Sequence, residues 1–137
     1  MSARPEILFL CVHNAGRSQM AAAFARTIGG ARVIVHSAGS APGETLNPVV
    51  VAVMLEKGMD ISSETPRMLI DDVGQRADVI VTMGCGDACP VYSGTRYLDW
   101  ELKDPAGRDV DEVRVIRDDV ETRVRQLLAE LLGAGST

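Results

Sequence analysis

Nowhere does the sequence hold an apolar run close to the roughly 18 residues that a membrane span requires. Nor does it open like a secretory leader, since Arg4 and Pro5 precede a strand-like run and no small-residue cleavage site follows. A soluble cytoplasmic protein with no membrane partner is expected. Positive charge is scarce: 14 Lys and Arg stand against 19 Asp and Glu, a net charge of -5. No basic patch is therefore expected to supply the counterion release on which nucleic-acid binding depends, and nucleic acid is not an expected partner. Lysine itself is nearly missing, with only Lys57 and Lys103 beside twelve arginines, a bias of a high-GC coding source and not of physics. Three cysteines without secretory context argue against a disulfide framework and leave thiol chemistry or plain burial. Repeats and low-complexity tracts are absent. What remains is ordinary globular composition, 46% hydrophobic and 24% charged over 137 residues, enough for one self-sufficient domain, residues 1–137.

The order of elements suggests an α/β fold. Glu6 to Cys11 is a near-continuous apolar run, the pattern of a parallel strand buried on both faces, and it should be central. A turn over His13 to Gly16 leads into a helix from Ser18 that Gly29-Gly30 closes. Arg32 to His36 is a second β-branched run, and Ser37 to Glu44 reads as loop. Asn47-Pro48 starts a helix that Gly58 stops, with Asn47 as its cap. Polar loop over 60–66 and a short helix from about Arg67 to Gln75 precede a third strand, Asp78 to Met83. Gly84 to Pro90 is a loop that carries Cys85 and Cys89. Arg96 to Trp100 is a fourth strand. The last helix spans about Val110 to Leu132, where Val113, Ile116, Val120, Val124, Leu127 and Leu131 make one apolar face. These elements predict a single-domain three-layer fold: a four-stranded parallel sheet covered on both faces, with ligands beyond the carboxyl ends of its strands.

The chemistry concentrates at the end of the first strand. Cys11-Val12-His13-Asn14-Ala15-Gly16-Arg17-Ser18 places a cysteine at the strand end and an arginine six residues later, where a helix begins. The five residues between them can wrap a loop whose N–H groups point inward, and the helix adds its positive end. Such a cradle fits a tetrahedral oxyanion, with donors from Val12 through Ser18. Arg17 would grip two oxygens in a fork, and the same positive surroundings favour the Cys11 thiolate. Ser18 can donate its hydroxyl to that sulfur, and the Asn14 amide can hold the loop in shape. The bland alternative is a buried strand cysteine beside a surface arginine. His13 is either a further donor to the ligand or a surface ring. His36 reads as a structural histidine, and Tyr97 and Trp100 as packing between sheet and helix.

This C-x5-R-S loop after a first strand resembles the low-molecular-weight protein tyrosine phosphatase superfamily. Within it, Cys-Val-His-Asn-Ala-Gly-Arg-Ser-Gln-Met-Ala, Ser37-Ala38-Gly39, Asn47-Pro48 and Asp104-Pro105-Ala106-Gly107 resemble its arsenate reductases over nearly the whole chain. The resemblance implies Cys11 as nucleophile, Arg17 and the loop amides as oxyanion site, and Asp104 as the acid that protonates the leaving oxygen. Family phosphatases usually carry aromatic residues after the Asp-Pro, where this chain has Ala106 and Gly107. Reducing arsenate also needs two electrons from thiols. Cys85 and Cys89 are the residues to supply them, the other readings being an inert pair or a metal site with His13 or His36. Metal is disfavoured, because a Cys-x3-Cys pair without a second set lacks tetrahedral spacing. No bound cofactor is expected.

Two departures bear on the donor. Some thioredoxin-coupled relatives space their loop cysteines farther apart, and they hold a potassium ion beneath the loop with carboxylates whose positions here are Ala22 and Arg67. This departure from the relatives' pattern leads to the expectation of no bound cation, with Arg67 as a substitute for its charge. The short spacing and a high-GC, actinobacterial type of source favour mycothiol with mycoredoxin over thioredoxin as the transient electron donor. The rival functions are a phosphatase, exposed by an aryl phosphate assay, and a non-catalytic oxyanion or redox-sensing module, excluded by arsenate turnover.

Overall fold

In the computed structural model, which describes residues 4–84 and 94–133, the chain runs β1 (Glu6–Cys11), α1 (Arg17–Gly29), β2 (Ile34–Gly39), α2 (Pro48–Leu55), α3 (Asp71–Arg76), β3 (Val79–Thr82), β4 (Arg96–Asp99) and α4 (Val110–Leu132). The four strands form one sheet in the order β2-β1-β3-β4, every pair parallel. β1 is an interior strand, as its unbroken apolar sequence requires, because both of its faces are covered.

Those faces differ. Ile7, Phe9 and Cys11 point into the larger cluster, shared with Met20 and Phe24 of α1, Val50 and Val53 of α2, and Val113, Ile116, Val120 and Val124 of α4. Leu8 and Leu10 point the other way, into a smaller cluster with Ala38, Ala77 and Ile80, against which Tyr97 packs. Burying each of these large side chains stabilises the fold by about 1.5–3 kcal/mol, so the strand that carries the site is anchored from both sides. Trp100 extends the larger cluster, its ring 5.9 Å from that of Phe9.

The helix ends follow from local chemistry. Asn47 accepts from Val49 N at 2.9 Å and Pro48 occupies the first turn of α2, while Asp109 accepts from Glu112 N at 2.9 Å to start α4. Among the described residues, no helix is long and apolar enough to cross a membrane.

Two expected boundaries are corrected. β2 does not stop at His36. It continues through Ser37-Ala38-Gly39, paired with Phe9, Leu10 and Cys11 of β1, so the segment read as loop begins only at Ser40. Gly39 also bridges Met68. That bridge holds 67–70 extended, and α3 starts at Asp71 instead of at Arg67. His36 lies in mid-strand, with its Nε2 2.7 Å from Glu6 Oε2.

Candidate active site

β1 ends at Cys11 and α1 begins at Arg17, with the loop 12–16 between them. All six carbonyls from Cys11 to Gly16 are engaged by donors outside the loop's concave side. Cys11 O accepts from Ser40 N at 3.1 Å, Val12 O from Ala41 N at 2.9 Å and His13 O from Gly43 N at 2.9 Å. Ala15 O accepts from Asn47 N and Gly16 O from Met20 N, both at 2.9 Å. Asn14 O accepts from the Gln19 side chain at 3.1 Å. In a trans peptide the N–H of the next residue points opposite to the carbonyl. Turning these carbonyls outward therefore turns the N–H groups of Val12 through Arg17 toward the loop centre. One of them, Asn14 N–H, reaches Cys11 Sγ at 3.3 Å.

Close backbone approach makes this possible. Asn14 adopts a left-handed φ of 52°, a conformation that asparagine tolerates better than most residues. A side chain on Gly39 would sit 2.5 Å from Val12 O, so only glycine lets β2 press against the loop and deliver the donors of 40–43.

The Cys11 sulfur is buried at the loop's base and lies 2.9 Å from Ser18 Oγ. Ser18 Oγ also receives Asn14 Nδ2 at 2.7 Å. Because the hydroxyl accepts that hydrogen, its own hydrogen is free for the sulfur, and two donors, Ser18 O–H and Asn14 N–H, face Cys11. Arg17 is nearly enclosed. Its Nη1 donates to Leu102 O at 3.3 Å, and a Cβ on Gly84 would come within 2.5 Å of that nitrogen. Its Nη2 is 3.7 Å from Asp104 Oδ2, a carboxylate 49% exposed. Asp104 Oδ1 accepts from Ala106 N at 3.0 Å, which fixes the turn, and Pro105 Cγ would lie 2.8 Å from a Cβ on Gly16. The Asp-Pro turn is thus seated on the loop.

Cys11, His13, Arg17, Leu46, Asp104 and Pro105 are among the residues around a cavity of about 490 Å³, where the only aromatic ring among the described lining residues is the His13 imidazole. The structure therefore brings Cys11, the loop 12–16, Arg17, Ser18 and Asp104 together around one opening. A sulfur, a forked cation, inward N–H groups and a half-exposed carboxylate can bind a tetrahedral oxyanion, attack it and protonate what leaves. His13 is exposed at the mouth. Cys85 and Cys89 lie outside the described residues.

A cation beneath the loop does not fit these residues. Ala22 is fully buried and has no side-chain oxygen. The expectation that Arg67 supplies the charge is also corrected: its guanidinium is exposed and 3.8 Å from Glu64 Oε1. What Arg67 contributes is its backbone N–H, 2.8 Å from Asn14 Oδ1. Sequence reasoning missed Gln19, which reads as one more helix former, and Gly84, which reads as a loop glycine. Neither carries a local signal of its contact with the loop.

Comparison with known proteins agrees with this geometry. The model of the low molecular weight phosphotyrosine protein phosphatase family matches residues 6–135. A putative arsenate reductase of Halobacterium salinarum is 40% identical over 127 residues, 89% of each chain. A glutaredoxin arsenate reductase of Synechocystis is 34% identical over 129 residues, 92% of this chain and 98% of that one. Among solved structures, the thioredoxin-dependent arsenate reductase Cg_ArsC1' of Corynebacterium glutamicum superposes with a TM-score of 0.81 at 41% identity. That match covers 96% of this chain, which spans 63% of the Corynebacterium chain. With the loop, the sheet order and these relatives in agreement, the chain belongs to the low molecular weight phosphotyrosine protein phosphatase family, in its group of arsenate reductases.

Proposed function

We propose that Cys11 reduces arsenate to arsenite by direct attack on arsenic, and that Arg17, Ser18 and Asp104 serve that attack. The observation that supports this reading is the outward engagement of all six loop carbonyls, which turns the loop N–H groups toward the place where an oxyanion would sit. The oxyanion sits in the cradle of Val12, His13, Asn14, Ala15, Gly16, Arg17 and Ser18 N–H groups, with two of its oxygens on the Arg17 fork. The Cys11 thiolate forms a sulfur–arsenic bond as one arsenic–oxygen bond breaks, and Asp104 gives that oxygen its proton so that it departs as water. A second thiolate then attacks Cys11 Sγ. A disulfide forms, the sulfur–arsenic bond breaks, and its electron pair stays on arsenic, which leaves as arsenite.

The second thiol is Cys85, with Cys89 completing a disulfide that a redoxin of the thioredoxin type reduces. Two relatives support this choice over the mycothiol and mycoredoxin favoured by spacing and composition. One is described as thioredoxin-dependent and another as a glutaredoxin arsenate reductase. Ala106 and Gly107, which line the cavity beside Asp104 and Pro105, give a flat ring no grip there and support arsenate over a phosphotyrosine ring. The test is arsenate-dependent NADPH oxidation, run with thioredoxin and its reductase beside mycothiol and mycoredoxin. Turnover with thioredoxin that disappears in Cys85→Ser and Cys89→Ser supports the relay. Turnover by the double variant with mycothiol and mycoredoxin overturns it in favour of the small thiol, and no arsenate turnover with either donor overturns the reductase reading.

A further inference from the structure

Gln19 follows Ser18 in α1 and is buried to 1% exposure. Its Nε2 faces three oxygens: Asn14 O at 3.1 Å, Asn14 Oδ1 at 3.1 Å and Thr65 O at 3.4 Å. The orientation of the amide is thereby decided, since the reverse would set an oxygen against three others. Asn14 Oδ1 takes a second donor, Arg67 N–H. With Oδ1 filled twice, the other end of the Asn14 amide is turned to Ser18 Oγ at 2.7 Å, and the Ser18 hydrogen is directed at Cys11 Sγ at 2.9 Å. Each donor direction is set by the one before it. The chain of donation runs from Gln19 through Asn14 and Ser18 to the sulfur.

We propose that Gln19 is a positioning residue for the Cys11 thiolate, acting through Asn14; the inference rests on the reading of Cys11 as nucleophile. An apolar side chain of the same length would fill the space but leave Asn14 O without its donor and Asn14 Oδ1 with only one. The Asn14 amide would then be held by Arg67 N–H alone, and as it loosens its hold on Ser18 the hydroxyl is no longer directed at the sulfur, which loses a hydrogen bond that favours its charged form.

The test uses the full chain with Cys85→Ser and Cys89→Ser as background, so that iodoacetamide reads Cys11 alone in an anion-free buffer. Gln19→Met is expected to move the pH profile of Cys11 alkylation upward by about one unit. Asn14→Ala should also move it upward, and adding Gln19→Met to Asn14→Ala should move it no further, because a residue that acts only through Asn14 has nothing left to act on. A folded Gln19→Met variant with the parental profile, or shifts that add in the double variant, overturns the proposal. Should Gln19→Met lack a cooperative thermal transition, Gln19→Glu keeps the shape and sets an acceptor against the three oxygens. It should move the profile upward too, and an unmoved profile overturns the proposal equally. Alkylation reads the thiol whether or not it attacks arsenate. Arsenate turnover by Cys11→Ser would sink the nucleophile reading alone.

Discussion

At the seam between α2 and α4, charge is used up in pairs. Glu56 accepts from Arg114 Nη2 at 2.7 Å and from Arg117 Nη1 at 2.8 Å. Asp111 takes the other Nη of Arg114, and Asp118 takes Arg117 Nε. At the Cys11 loop almost nothing is charged: Asn14, Ser18, Gln19 and backbone groups hold one another by neutral hydrogen bonds. Arg17 meets a carboxylate only at 3.7 Å. The difference separates two jobs. Mutually neutralised ion pairs, exposed on every side but that of the buried Arg117, can tie helices together at a surface where solvent screens them. A site for an oxyanion instead needs a cation whose charge is left over, held in place by groups that do not cancel it.

The largest effect should come from breaking that leftover charge's shape. Arg17→Lys keeps the charge but loses the fork, and kcat/KM for arsenate should fall by about 10³. Near-parental kcat/KM would place the value of Arg17 in charge alone. Asp104→Asn should lower kcat by about 10² with little change in KM, and the pH–rate profile should lose one limb. An unaltered profile would reduce Asp104 to a turn residue. Gly84→Ala introduces a Cβ within 2.5 Å of Arg17 Nη1, at a φ of +87°. Displacing the fork in this way should cost about tenfold in kcat/KM, and full activity would show that Arg17 is not held by this contact.

The smallest effect belongs to the charged seam. Hydrogen bonds from Arg114 and then Arg117 hold the Glu56 carboxyl down to about 2. A lowered folded-state value contributes stability above the ordinary carboxylate range, and that contribution is lost as pH falls toward 2. The thermal midpoint of the parent should exceed that of Glu56→Gln at pH 7 by at most a few degrees, and the two should converge between pH 4.5 and 2. Parallel curves over this interval would deny the seam its electrostatic role, and any change in kcat/KM at pH 7 would deny its separation from the site.

Much of this was legible because it is local or periodic. The apolar run of β1, the Asn47-Pro48 start of α2 and the spacing along α4 place those elements without reference to the rest of the chain. The Cys11 to Ser18 pattern states its own chemistry, and Asp104-Pro105 marks a turn. Ser37-Ala38-Gly39 could not be read as strand from its residues. Small side chains have little strand preference, and what makes them a strand is Gly39 lying against Val12 O and pairing with Cys11 and Met68. Arg67 carries helix-compatible sequence after it, yet the bridge to Gly39 keeps that stretch extended. Gln19 was illegible for the same reason: its meaning lies in Thr65 and in the Asn14 amide that Arg67 fills, contacts made by parts of the chain far from it.

Arg67 N–H reaches Asn14 across 53 positions of sequence, and Gln19 reaches Thr65 across 46. A polypeptide made from its N-terminus therefore exposes Cys11 well before the residues that complete its surroundings have been synthesised. Closing a contact over such a separation comes late in folding as well. During translation the nascent chain carries Cys11 in the open, and the hydrogen bonds around the loop that holds it are completed only with the segment that shelters it.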